Sequence, residues 1–234
     1  MKVEIYSDMV CPFCYIGKKR FESALEDFSD KNNVTVTYRS FQLDPNTPDH
    51  VDVSLHESLA QKYNMSIDQA KEMNASVAAQ AKEVGLEFNL DDAKPANTEN
   101  AHRLSHYANE QGKMETFVNR TLRAYFTEGK DINDSAVLLD LAEETGLDRE
   151  EAQAVLDSDR YRNQVIADQQ MASQIGAQGV PFFVFNEKYG VSGAQPQETF
   201  LQVLDQVHEE EKKESKVQVL GSKTEFCDGD SCNN

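Results

Sequence analysis

A chain of 234 residues is long enough for one sizeable core, and its 41 acidic against 23 basic side chains give a formal net charge of −18. Such a negative field repels phosphate backbones and anionic lipid surfaces, which excludes nucleic acid as a partner class. A mean hydropathy of −0.63 excludes a bilayer-spanning protein, since no apolar run nears the roughly 18 residues a span needs.

The first ten residues, MKVEIYSDMV, carry Glu4 and Asp8 where an export signal needs an uninterrupted apolar stretch, so the expected location is the cytoplasm. Lys2–Ser7 alternates Val3 and Ile5 with polar neighbours and predicts a strand that feeds, through Asp8 to Val10, straight into CPFC. From Pro12 onward Phe13, Ile16, Phe21, Leu25 and Phe28 recur near the helical period of about 3.6, until the breaker cluster Ser29 to Asn33. Cys11 therefore stands at or beside a helix N-cap. Val34 to Phe41 alternates β-branched and aromatic residues and predicts a second strand, completing β-α-β.

Between about Ser54 and Gly176 strand patterns vanish and helix formers dominate. The spacing predicts helices over Ser54–Tyr63, Ile67–Val84, Thr98–Gln111, Lys113–Glu128, Ser135–Thr145, Asp148–Leu156 and Tyr161–Ile175. N-cap signals fall at Ser54, Ser66, Thr98, Asn133 and Asp148. After Gly179 the segments VPFFVFN and YGVSG predict two strands joined by a tight turn. Pro196 to about Lys213 predicts a last amphipathic helix presenting Phe200, Leu201, Leu204 and Val207. The polar end, closing FCDGDSCNN, predicts no regular structure.

Cysteine occurs four times, as Cys11 and Cys14 near one end and Cys227 and Cys232 near the other, which is no structural framework. A thiol attacks a disulfide as thiolate, and the free amides and dipole of a helix N-terminus stabilise that anion at Cys11. Pro12 suits the first helical turn, where its missing N–H costs nothing, and Cys14, three residues on, can resolve a mixed disulfide. The expectation is a lower thiol pKa at Cys11 than at Cys14. Half of a zinc site is the competing reading of CPFC. Val180-Pro181, entering the late strand, is either an ordinary turn or a cis bond that exposes backbone groups to an extended peptide. His102, His106 and Glu110 lie at i, i+4 and i+8, yet no ligand on another helix can be named, so no metal site is assigned. Cys227 and Cys232 are a candidate second redox pair in an easily closed loop; an inconsequential exposed pair and metal binding are the alternatives.

Four separated stretches, SDMVCPFCYIG, NTENAHRLSHYA, LRAYFTEGKDI and IGAQGVPFFVFNEKYGVSGAQP, occur in that order. Together they resemble the DsbA-like thiol oxidoreductases of the FrnE type over nearly the whole chain. The resemblance implies an α/β thioredoxin fold interrupted by an all-helical insertion. Residues 1–48 and 177–214 would form the thioredoxin part, 49–176 the insertion and 215–234 a cysteine-containing tail. It implies Cys11 as nucleophile, Cys14 as resolving thiol and a cis Pro181 facing them, with Val180, Pro12 and Phe13 against the substrate. Protein or small-molecule disulfides are the implied partners, and no cofactor is required beyond glutathione as a reductant.

Relatives sharing this fold include 2-hydroxychromene-2-carboxylate isomerases and kappa-class glutathione transferases, in which serine commonly replaces the first cysteine. Keeping both cysteines favours dithiol exchange; a glutathione-dependent isomerase or transferase is the alternative, and a zinc-binding, holdase-like protein a third reading. Pro12-Phe13 lacks the histidine that DsbA carries between its cysteines, which implies a less oxidising couple. Ile5, six residues before Cys11, is apolar where thioredoxin-like proteins often keep a buried acid, leaving Asp8 as the substitute candidate.

Overall fold

The computed structural model describes residues 1–48 and 51–214, and the backbone of Phe226–Cys227 and Cys232–Asn233. Strand β1 (Lys2–Ser7) leads into α1 (Pro12–Asp27) and returns as β2 (Thr35–Ser40). A helical segment follows: α2 (Leu55–Tyr63), α3 (Ile67–Glu83), α4 (Glu99–Glu110), α5 (Met114–Phe126), α6 (Ser135–Glu144), α7 (Arg149–Leu156) and α8 (Arg162–Gln174). Then come β3 (Phe182–Phe185), β4 (Tyr189–Ser192) and α9 (Gln197–Glu214).

The four strands form one mixed sheet in the order β2-β1-β3-β4. The helical crossover through α1 makes β1 and β2 parallel, whereas β3 runs antiparallel to both β1 and β4. The β3-β4 turn holds Asn186 and Glu187 at φ of 48° and 57°, and Asn186 exchanges bonds with Lys2 at 2.7 and 2.8 Å, locking the turn to β1. This is a thioredoxin-like α/β fold with α2 to α8 inserted between β2 and β3.

Helices α1 and α9 cover one sheet face through Phe21, whose ring meets those of Phe183, Phe185 and Phe200 at 5.6, 6.2 and 5.7 Å. From there the core runs without a break into the insertion, taking in Ile5, Phe28, Leu104, Phe117 and Leu138. A buried guanidinium, Arg103 on α4, donates to the carbonyls of Arg160, Val155 and Ser158 and to Asn100, which ties α4 to the end of α7. Among the described residues no helix is long and apolar enough to cross a membrane.

Local signals placed most boundaries within a residue or two. Ser54 and Ser66 each form a full capping box, and Asp148 caps α7. Two caps differ from the expectation. Asp134, not Asn133, caps α6, because Asn133 is spent bridging loops, accepting from Asn97 N at 2.7 Å and donating to the Pro95 carbonyl at 3.0 Å. The Thr98 side chain makes no cap bond either; Asn97 accepts from the Glu99 amide at 3.0 Å instead. Near the end of the chain, where irregular structure was expected, Phe226–Cys227 and Cys232–Asn233 pair antiparallel with Cys227 opposite Cys232. Their side chains lie outside the described residues.

Candidate active site

The junction of β1 and α1 is built by local chemistry. Cys11 is the N-cap of α1 with extended backbone (φ −89°, ψ 112°), Pro12 follows at the first helical turn, and no side chain caps the free amides there. The turn is closed by the Cys11 amide donating to the Asp8 carbonyl at 3.2 Å. Both thiols are free and buried. Cys14 lies one turn inside; the Asp8 amide donates to its sulfur at 3.5 Å. Burial first, and the neighbouring Cys11 second, push the Cys14 thiol well above its ordinary pKa.

The late loop meets this junction. The Cys11 thiol donates to the Val180 carbonyl at 3.6 Å, and the Val180-Pro181 bond is cis. The Pro181 carbonyl in turn accepts from the Gly193 amide at 2.8 Å, anchoring the loop to the end of β4. A residue that sequence reasoning missed makes this approach feasible. A Cβ on Gly17 would stand 3.0 Å from the Pro181 ring and 3.2 Å from the Ala194 backbone, so only glycine lets α1 pack so closely.

In front of Cys11 lies a cleft of about 640 Å³, walled by Phe13, Leu59, Tyr63, Val77 and Val180, with Lys62 and Asp44 paired at 3.3 Å among its polar groups. Pro12, Phe13 and Val180, the residues expected against a substrate, all border it, whereas Pro181 does not. Phe13, on the first turn of α1, is 40% exposed and faces the cleft.

The histidine face of α4 disperses. Buried His102 points Nε2 at Asp8 Oδ1, 3.4 Å away; His106 meets Ser40 Oγ at 3.0 Å and Asp168 at 3.2 Å; Glu110 accepts from the Tyr161 hydroxyl at 2.6 Å. Among the described residues no three such groups converge as they would around a metal ion. Asp8, the weak candidate of the sequence, is 1% exposed, and its second oxygen accepts from the Leu43 amide at 2.7 Å. Its pairing with His102 had no local signal, because it joins the end of β1 to the inserted α4.

Residues 2–205 match the DSBA-like thioredoxin domain family. The chain belongs to that family. A probable DsbA oxidoreductase of Streptomyces coelicolor is similar at 40% identity and a TM-score of 0.86, with 100% of this chain and 99% of that one covered. Protein YwbO of Bacillus subtilis is 28% identical over 213 residues, 90% of this chain and 98% of its own. A 2-hydroxychromene-2-carboxylate isomerase shares the fold, with a TM-score of 0.68 at 17% identity over 92% of this chain and 100% of its own.

Proposed function

We propose that this family member is a thiol–disulfide oxidoreductase of the FrnE type, acting in the cytoplasm on protein or small-molecule disulfides through Cys11 and Cys14. The observation that carries the reading is the placement of Cys11: at a helix N-terminus, against the Val180 carbonyl and on the wall of an open apolar cleft. In this reading the Cys11 thiolate attacks a substrate disulfide R–S–S–R′, forming a Cys11–S–S–R bond and releasing R′–S⁻. Cys14 then bonds to the Cys11 sulfur and releases R–S⁻, so the substrate gains two electrons and the pair becomes a disulfide. A reductant such as glutathione returns the pair to dithiol. Pro12, Phe13 and Val180 line the path of the substrate, and Pro181 holds the Val180 carbonyl toward Cys11. Cys227 and Cys232 enter as a second redox pair.

Insulin reduction with glutathione or dithiothreitol tests this. Turnover is expected in the native chain and none in Cys11→Ser, while Cys14→Ser accumulates a mixed disulfide on Cys11. Undiminished turnover in Cys11→Ser would remove the reading. The volume of the cleft, in the range of small-molecule sites, favours one second reading, a glutathione-dependent isomerase. Saturable glutathione binding by Cys11→Ser, with no disulfide turnover in the native chain, would select it.

A further inference from the structure

Asp8 Oδ1 and His102 Nε2 face each other at 3.4 Å, with side chains 1% and 2% exposed, and neither atom has a hydrogen-bond partner among the described residues. An isolated buried charge costs several kcal/mol, on the order of the effective ion desolvation penalty, so a charge that forms on one of these groups is sustained by its opposite on the other. A second observation connects them to the dithiol. Ser7, next to Asp8 at the end of β1, acts on the Cys14 sulfur in the sense that favours its anion, and the Asp8 amide donates to that same sulfur at 3.5 Å. Ser7 and His102 then both line a small cavity of about 10 Å³, near what one water molecule occupies, together with Tyr38, Arg39 and Ser105. On the far side of His102, Asp8 borders the large cleft in front of Cys11.

We propose that Ser7, this cavity and the His102–Asp8 pair form a proton path from Cys14 to the cleft, a role that rests on the dithiol reading above. During resolution the Cys14 S–H proton passes by way of Ser7 and the cavity to His102, whose imidazolium faces the Asp8 carboxylate. The Cys14 sulfur bonds to Cys11, the Cys11–S–S–R bond breaks, and R–S⁻ departs into the cleft, where Asp8 can return the proton to it. The buried Cys14 thiol then never ionises without an acceptor for its proton.

The other groups around the cavity and the pair are committed elsewhere. From β2, Arg39 is paired with Glu4 at 2.5 Å and Asp168 at 3.5 Å, and Tyr38 is held protonated by burial. From α5, Tyr125 is likewise held protonated by burial, its hydroxyl donating to the Lys94 carbonyl at 2.8 Å, while the charge of Glu115 acts on Tyr38 and Lys18. From α1, Lys18 is bonded to Glu22, and on α4 itself His106 is held by Ser40 and Asp168. The imidazole of His102, whose Nε2 has no hydrogen-bond partner among the described residues, is left as the acceptor.

The experiment uses the full chain in its reduced form, mixed rapidly with a bis(nitrobenzoate) disulfide, whose released thiolate is yellow. The first release reports attack by Cys11 and the second reports resolution by Cys14; the same mixing in a Cys14→Ser background isolates attack. In His102→Gln, resolution should fall roughly tenfold to hundredfold near pH 6.5, with the deficit closing toward pH 9 as hydroxide takes over as base. Ser7→Ala, which removes one hydroxyl and neither member of the Asp8–His102 pair, should show the same pH-dependent deficit and guards against a folding defect in His102→Gln. A deficit of the same size at every pH, or one shared equally by the attack step, would mean a merely structural role and overturn the proposal. Absence of any release by the native chain would remove the dithiol reading, and this path with it. Normal release with unaltered pH profiles in both variants would remove the path alone.

Discussion

The Cys11 thiol and the Val180 carbonyl meet at 3.6 Å although they stand 169 positions apart in the chain. The contact joins the two parts of the thioredoxin-like fold that the helical insertion separates in sequence. It also orients the cysteines unequally, one on a cleft wall and one behind it.

That inequality predicts an order of chemical modification. Burial and the adjacent Cys11 raise the Cys14 thiol, so at pH 7 its thiolate fraction is small, and it grows only as the pH rises toward the elevated value. Iodoacetamide should therefore label Cys11 first in the reduced protein near neutrality, with Cys14 reacting at alkaline pH or after unfolding. Peptide mapping by mass spectrometry measures the order, and faster labelling of Cys14 would displace Cys11 as the nucleophile.

Close packing of α1 on the Pro181 loop predicts the cost of one methyl group. In Gly17→Ala the new Cβ meets the Pro181 ring at 3.0 Å and the Ala194 backbone at 3.2 Å, and the backbone cannot yield as a flexible side chain would. A loss of about 1–3 kcal/mol is expected in urea unfolding. Disulfide reduction should slow as well, since the Val180 carbonyl moves with the loop. A variant with unchanged midpoint and rate would show that the loop accommodates the methyl freely.

Lys18, one turn beyond Cys14 and 1% exposed, predicts a pH-dependent stability of definite sign. Burial lowers its pKa to about 8 from an ordinary 10.5, so between these values the unfolded chain binds more protons and stability rises with pH. Below about pH 8 the full cost of burying the cation is present, up to roughly 3 kcal/mol. Lys18→Met should accordingly stabilise the protein at pH 7 and flatten the rise between pH 8 and 10.5; Glu22 keeps Lys19 as a partner at 2.9 Å. Urea midpoints at pH 7, 9 and 10.5 decide it, and a destabilised Lys18→Met at pH 7 would contradict the argument.

Cys227 and Cys232 are predicted to exchange with the main pair. A chain reaches at most about 3.3–3.6 Å per residue, so the residues between Glu214 and Cys227 are enough in number to bridge roughly 20 Å, and linkage in one chain favours intramolecular exchange. The acids Glu225, Asp228 and Asp230 disfavour thiolates beside them, so this pair should serve as the disulfide that Cys11 attacks. In Cys14→Ser, mapping should find Cys11 joined to Cys227 or Cys232. Adducts with glutathione alone, together with an unchanged potential after deletion beyond Ser222, would dismiss the pair from the mechanism.

How much of this could be read from the residues alone follows the range of each interaction. Cys11 at the N-cap, Pro12 in the first turn, the capping boxes at Ser54 and Ser66 and the alternation of β1 are relations within a few residues, and the backbone conformation they encode is the one observed. The four ordered motifs carried the family and, through it, the cis Val180-Pro181 bond. Tertiary structure decided which polar group finds which partner. Asn133 gave up its cap to bridge two loops, and His102, His106 and Glu110, neighbours on one helix face, went to three separate partners. Periodicity reports that a face is buried, but hydrogen bonds and ion pairs are satisfied by whatever group packing brings within about 3 Å. For Asp8 the facing group, His102 at 3.4 Å, came from within the insertion, and only the folded chain could supply it.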